Sequence, residues 1–174
     1  MIIDFHTHVA PEEIRSRAFW KGKCPMTIEN VLEAQKVGGI DRTVVSYPYH
    51  ELREMTDARQ QLDAIFRHNR YLASLQKYDT IHVLASTVPH GGDAFLREFE
   101  RAVKEDGCKG AIIMSSLQGH YPDDDDAFPF FELAVDLTGF SWTRLIGIIG
   151  MERTPEDAKE ATQWGADCCQ APSN

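Results

Sequence analysis

The sequence predicts an α/β fold in which parallel strands alternate with helices, and three observations carry that expectation. Short, nearly continuous apolar and β-branched runs recur at residues 2–8, 43–46, 81–87 and 110–114. Between them lie longer stretches whose apolar residues recur at helical spacing. Gly, Pro and Asp clusters punctuate each junction. Strands without polar alternation are covered on both faces, which in a chain of strand–helix cycles means parallel pairing with helical crossovers outside.

The elements follow in order. The opening Met1-Ile2-Ile3-Asp4-Phe5-His6-Thr7-His8 reads as a strand stopped by Ala10-Pro11. Thr27 is placed to cap a helix that buries Ile28, Val31, Leu32 and Gln35, and Gly38-Gly39 to stop it. A strand over 41–46 ends in a loop, Tyr47-Pro48-Tyr49-His50, and a long helix is expected from about Thr56 to Tyr78 with Leu62, Ile65, Phe66, Leu72 and Leu75 inward. The third strand, 81–87, leads through Pro89-His90-Gly91-Gly92 into a helix with Asp93 as its expected cap and Leu96, Phe99 and Val103 inward. The fourth, Gly110 to Met114, is followed by a loop to Asp126 and a helix using Pro129, Phe130, Leu133, Ala134 and Leu137. Beyond it, 144–150 is apolar enough for a fifth strand, and Thr154-Pro155-Glu156-Asp157 suits a helix start.

Composition narrows the function. The 174 residues suit one domain, 43% hydrophobic and 26% charged is ordinary for a soluble globular protein, and a net charge of −9 opposes a nucleic-acid or anionic-membrane surface. No apolar stretch approaches the roughly 20 residues of a membrane span, and the N-terminus does not read as a signal peptide, so a cytoplasmic location is the expectation. The four cysteines, Cys24, Cys108, Cys168 and Cys169, lack zinc-ligand spacing and are expected as free thiols.

Strict strand alternation would set Asp4, His6 and His8 on one face. Two neutral imidazoles leaving a strand's carboxyl end side by side can share one divalent cation, with Asp4 behind them to orient a ligand or a neighbouring strand. A His-x-His triplet alone is a weak signal; its place at the end of a strand, where α/β proteins gather ligands, strengthens it. His50, His90 and His120 each follow a strand and so belong to the same rim, as substrate contacts, as a third metal ligand from His90 or His120, or as solvated loop residues. His68 and His82 read as structural, and Arg53 and Arg59 as solvated residues at a helix start. The run Asp123 to Asp126 is either a hard-cation site or, the plainer reading, a solvated loop before a helix N-terminus.

Together these residues resemble the amidohydrolase-related family, the branch of the metal-dependent hydrolases that includes aminocarboxymuconate semialdehyde decarboxylase. The resemblance covers roughly residues 1–137. It rests on Ile2 to His8 with Pro11 behind, on Gly39 to Ser46, and on Gly107-Cys108-Lys109-Gly110-Ala111 leading through Gly119 to Asp125-Asp126 and Phe130 to Ala134. It implies a TIM-barrel-like (β/α) fold and a divalent metal, commonly zinc, held by His6 and His8, by a histidine after the fifth strand and by an aspartate after the eighth. It also implies hydrolysis or loss of a carboxylate as carbon dioxide from a small cyclic or unsaturated carboxylated compound.

Only the first two ligands have counterparts, since no histidine follows His120. A barrel of this kind needs about 250 residues. The expectation is therefore an incomplete barrel of four to five parallel strands: residues 1–137 as the N-terminal half, 138–174 as a divergent tail, and the whole as a truncated form of a longer enzyme. The alternative is a non-catalytic fragment that binds a partner, a second copy or a full-length paralogue, by strand-edge pairing. A phosphoesterase or nuclease of another His-x-His barrel branch is the third option, opposed by the acidic charge.

Overall fold

The computed structural model describes residues 1–17, 26–48, 50–138 and 146–149, with backbone alone at 50, 138 and 146–149. The elements in chain order are β1 (Ile3–His8), α1 (Glu12–Arg15), α2 (Ile28–Gly38), β2 (Arg42–Ser46), α3 (His50–Glu54), α4 (Ala58–Ser74), β3 (Ile81–Val83), β4 (Ala85–Ser86), α5 (Asp93–Lys104), β5 (Ala111–Met114), α6 (Phe128–Thr138) and β6 (Ile146–Ile149). The expected strand after the last helix is thus present. Cys24, Cys168, Cys169 and the helix start expected at 154–157 lie outside the described residues.

All strand pairs are parallel, in the orders β1-β2-β3 and β4-β5-β6. The two sheets are one arc. β3 and β4 are two ends of a single extended segment separated only by Leu84, whose N–H still donates to Val45 O at 3.0 Å, while Lys109 N donates to Val83 O and Ala85 N to Gly110 O, both at 2.9 Å. Each crossover adds its strand on the same side of the last, so the order never reverses. That is the winding of a barrel; a doubly wound sheet turns back at a switch point. Every loop that follows a strand consequently emerges on one rim.

Helix ends explain much of the local structure. Thr27 Oγ1 accepts the Asn30 N–H at 3.2 Å and Gly39 closes α2 in the left-handed region at φ 64°. The expected long helix is two: His50–Glu54 forms its own turn, and α4 starts afresh where Asp57 accepts the Gln60 N–H at 2.9 Å. Phe66 is not inward. It is 44% exposed, beneath the guanidiniums of Arg70 and Arg101 at 5.6 and 4.9 Å, whereas Gln61, His68 and Asn69 take buried positions on α4. Asp93 is not the cap of α5 either: Gly92 holds that position at φ 78°, with no side-chain cap, and Asp93 is the first helical residue.

The main core joins Val45, Val83, Ala111 and Ile113 of the strands to Val31, Leu72, Phe99 and Phe130 of the helices. The other sheet face contributes Val44, Leu84 and Ile112 to a second cluster with Leu52, Ile65 and Phe95. Cys108 is a free, buried thiol pushed up to about 12 by desolvation, hence unreactive at neutral pH. Among the described residues no helix is long and apolar enough to cross a membrane.

Candidate functional site

The first strand does not keep simple alternation. β1 opposes Asp4 to Thr43 and His8 to Ser46, with the register shifting between Asp4 and Thr7, so two residues, Phe5 and His6, face one residue of β2. Thr43 and Ser46 have opposite parity, and paired residues share a face. Thr43 lies toward the helices, where Gln35 Nε2 donates to its hydroxyl at 2.9 Å. Asp4 therefore falls on the helix side and His8 on the inner side, correcting the expectation that Asp4 shares the histidines' face. Asp4 instead secures the bulge: its Oδ1 accepts the His6 N–H at 3.0 Å and its Oδ2 accepts the Thr7 hydroxyl.

The bulge brings the imidazoles together. His6 Nε2 and His8 Nε2 are 3.3 Å apart, with the rings edge-on at 88°. Two lone pairs this close require a proton or a cation between them. Two nitrogens each about 2.0–2.1 Å from one tetrahedral zinc would stand about 3.3–3.4 Å apart, so the donor pair fits a shared ion. On the far side of the His8 ring, Nδ1 lies 2.9 Å from Ser46 Oγ. With Nδ1–H donating there, the free lone pair of His8 is on Nε2, as a metal ligand requires. Desolvation, then the neighbouring His6, lowers the His8 pKa to about 4, and the Ser46 hydrogen bond opposes this only in part. His8 is thus neutral at physiological pH. Sequence reasoning missed Ser46, which is legible only once the β1–β2 register is known.

The other rim histidines go elsewhere. His50 opens α3, and its side chain lies outside the described set. His90 and His120, from the loops after β4 and β5, stack face to face with ring centroids 4.3 Å apart at 14°. Burial, then His120, lowers the His90 pKa. His120 Nδ1 faces the acidic run, 3.2 Å from Asp126 Oδ2 and 3.8 Å from Asp124 Oδ2. Among the described residues this is the one set of three or more His, Cys, Asp or Glu donors close enough to share an ion, so neither His90 nor His120 joins His6 and His8.

His68 is structural, as expected, but its surroundings were not. Its Nε2 is 3.1 Å from Glu51 Oε2, its ring stacks on Tyr47 at 3.6 Å, and Arg17 reaches Glu51 Oε1 at 3.2 Å. Burial outweighs the hydrogen bond from Glu51 and lowers the His68 pKa, while that same bond is the main cause holding Glu51 below the usual carboxylate range. The neutral ring donates through Nε2, leaving Nδ1 a buried acceptor without a hydrogen bond.

A singly wound parallel sheet that carries paired imidazoles at the mouth of its first strand has the architecture of a barrel-type metal-dependent hydrolase. The chain belongs to the amidohydrolase family, whose sequence profile matches residues 3–140. No curated protein matches it. Among solved structures it is similar to the 2,6-dihydroxybenzoate decarboxylase of Rhizobium, with 20% identity and a TM-score of 0.72 over 93% of this chain and 53% of that one. It is similar to the 5-carboxyvanillate decarboxylase of Novosphingobium aromaticivorans, solved with bound manganese, at 19% identity and TM-score 0.74 over 96% of this chain and 56% of that one. A third is the dihydroxybenzoic acid decarboxylase of Polaromonas, also with manganese, at 22% identity and TM-score 0.70 over 93% and 53%. At these identities the likeness is one of fold. The chain spans about half the length of these structures.

Proposed function

We propose that this chain carries part of the active site of a metal-dependent carboxy-lyase or hydrolase that acts on a small carboxylated cyclic or unsaturated compound, with His6 and His8 as metal ligands. The observation that carries this reading is the 3.3 Å convergence of the two Nε2 atoms, with His8 held from behind by Ser46. The metal would supply charge neutralisation for a substrate carboxylate or an activated water. The residues of this chain orient the two imidazoles and keep His8 in its neutral form. Imidazole donors favour zinc, and two of the similar structures hold manganese. His50, His90 and His120 are proposed as substrate-side residues of the rim. A cytoplasmic setting and the division at residue 137 belong to the same reading.

Elemental analysis of the purified chain tests it: zinc or manganese in a stoichiometric amount, lost in a His6→Ala/His8→Ala variant, is expected. Release of carbon dioxide from 2,6-dihydroxybenzoate or 5-carboxyvanillate would then separate decarboxylation from hydrolysis. A folded chain without metal overturns the assignment of the ligands.

A second reading, a barrel segment that functions by strand-edge pairing, is favoured by one feature. Among the described residues no strand covers the outer edge of β1, where Phe5 is 54% exposed beside Ile2 and Met1. Light scattering that shows a metal-free dimer or mixed assembly would support it, and a metal-loaded monomer would remove it.

A further inference from the structure

We propose that His120, Asp124 and Asp126 form a second divalent-cation site, on the loop between β5 and α6 and separate from His6 and His8. A run of aspartates alone is ordinarily a solvated loop. What sets this one apart is a nitrogen donor aimed at it and a concave surface beside it. Nδ1 of His120 points at both carboxylates, 3.2 Å from Asp126 Oδ2 and 3.8 Å from Asp124 Oδ2, and all three donor atoms lie within 4.8 Å of one another. Ligands about 2.1 Å from a common ion stand about 3–3.5 Å apart, so side-chain shifts of a few tenths of an ångström would close the set.

The donors are held by the backbone rather than by each other. Leu117 and His120 exchange both main-chain hydrogen bonds, at 3.0 and 3.1 Å, around a two-residue turn in which Gln118 and Gly119 are both left-handed, at φ 56° and 87°. Tyr121 N donates to Asp124 Oδ2 at 2.8 Å, and Asp126 sits in the 3-10 turn Asp125–Ala127, pinned by the buried Ala127. The other face of the His120 ring is covered by His90, and both rings line a pocket with Met114, Leu117 and Tyr121 at the carboxyl ends of the strands. That pocket leaves room beside the ion's open positions for water or a carboxylate ligand.

Charge argues in the same direction. Two carboxylates meet one imidazole, which even when protonated offsets one of them, and Asp123 and Asp125 flank the pair. A divalent cation neutralises the excess. One nitrogen and two carboxylate oxygens suit a borderline or hard ion such as zinc or manganese(II), and disfavour copper(I).

The test is equilibrium dialysis of the full chain against manganese(II) and, separately, zinc. The His6→Ala/His8→Ala variant should retain one equivalent, and adding Asp124→Asn and Asp126→Asn should weaken that binding at least tenfold. Manganese should also broaden the imidazole proton resonances of His120 and His90 in the His6→Ala/His8→Ala variant. Absence of bound metal in that variant while its circular dichroism matches the parent would overturn the proposal. So would binding that survives both aspartate changes. The Asp124→Asn/Asp126→Asn variant with His6 and His8 intact separates the two readings, because it isolates the site on the first strand.

Discussion

Two pairs of histidines sit on the same rim and meet in opposite ways. His6 and His8 come edge-on, with their nitrogens together at 3.3 Å. His90 and His120 come face to face, so their ring planes meet and the nitrogen of His120 is left to point at carboxylates. Neighbours two apart on a strand share a strand's geometry, and a bulge can tune how they converge. Residues from separate loops meet as flat surfaces. The difference teaches that proximity of imidazoles does not make a ligand pair; the direction of the nitrogens does.

The strongest way to break the comparison is to remove the edge-on pair. His6→Ala/His8→Ala should abolish metal at the first strand, whereas His90→Leu should leave it unchanged, as elemental analysis of the two variants would read. Next in size is a third carboxylate-bound imidazole, His68, whose pair with Glu51 is buried while that of His120 with Asp126 is roughly half exposed. Glu51→Ala should lower the stability by about 3 kcal/mol, since it strands a buried partner, and Asp126→Asn in metal-free protein by under about 1 kcal/mol. Urea titrations would measure both.

The buried pair also sets a pH dependence. His68 and Glu51 both have folded-state pKa values below their unfolded ones. Their contribution is present above the ordinary histidine value near 6.5 and is lost as pH falls, first as unfolded His68 takes up a proton and then through the carboxylate range. The metal-free protein should therefore unfold more readily at pH 5 than at pH 7.5, with a smaller difference in Glu51→Ala. Ser46→Ala, which removes the Oγ partner of His8, should weaken metal binding about 10–100-fold without altering the fold. The smallest effect is expected from Asp4→Ala, about 1 kcal/mol for the lost bulge hydrogen bonds, seen as a lower midpoint in thermal unfolding.

What the sequence revealed was what depends on near neighbours. Thr27 and Gly39 bound α2 because a cap and a left-handed stop are decided within one turn. The strand order and the rim followed from the repetition of strand and helix. Contacts between elements were not legible. Phe66 fits the apolar spacing of α4, yet two arginines from α4 and α5 draw it to the surface. Asp93 is a good capping residue, but Gly92 takes the non-helical position at φ 78°, which suits glycine. Ser46 became a partner of His8, and Asp4 left its face, only because β2 sets the register of β1. The stacking of His90 on His120 joins loops 30 residues apart and left no local mark.

The irregularity between Asp4 and Thr7 has a consequence for how this segment can change over evolutionary time. Side-chain replacements there leave the count of residues intact, whereas deleting a single one would restore regular pleating and turn the imidazole of residue 8 away from the mouth toward the helical layer. Length, more than identity, is what selection has to guard at the start of this chain.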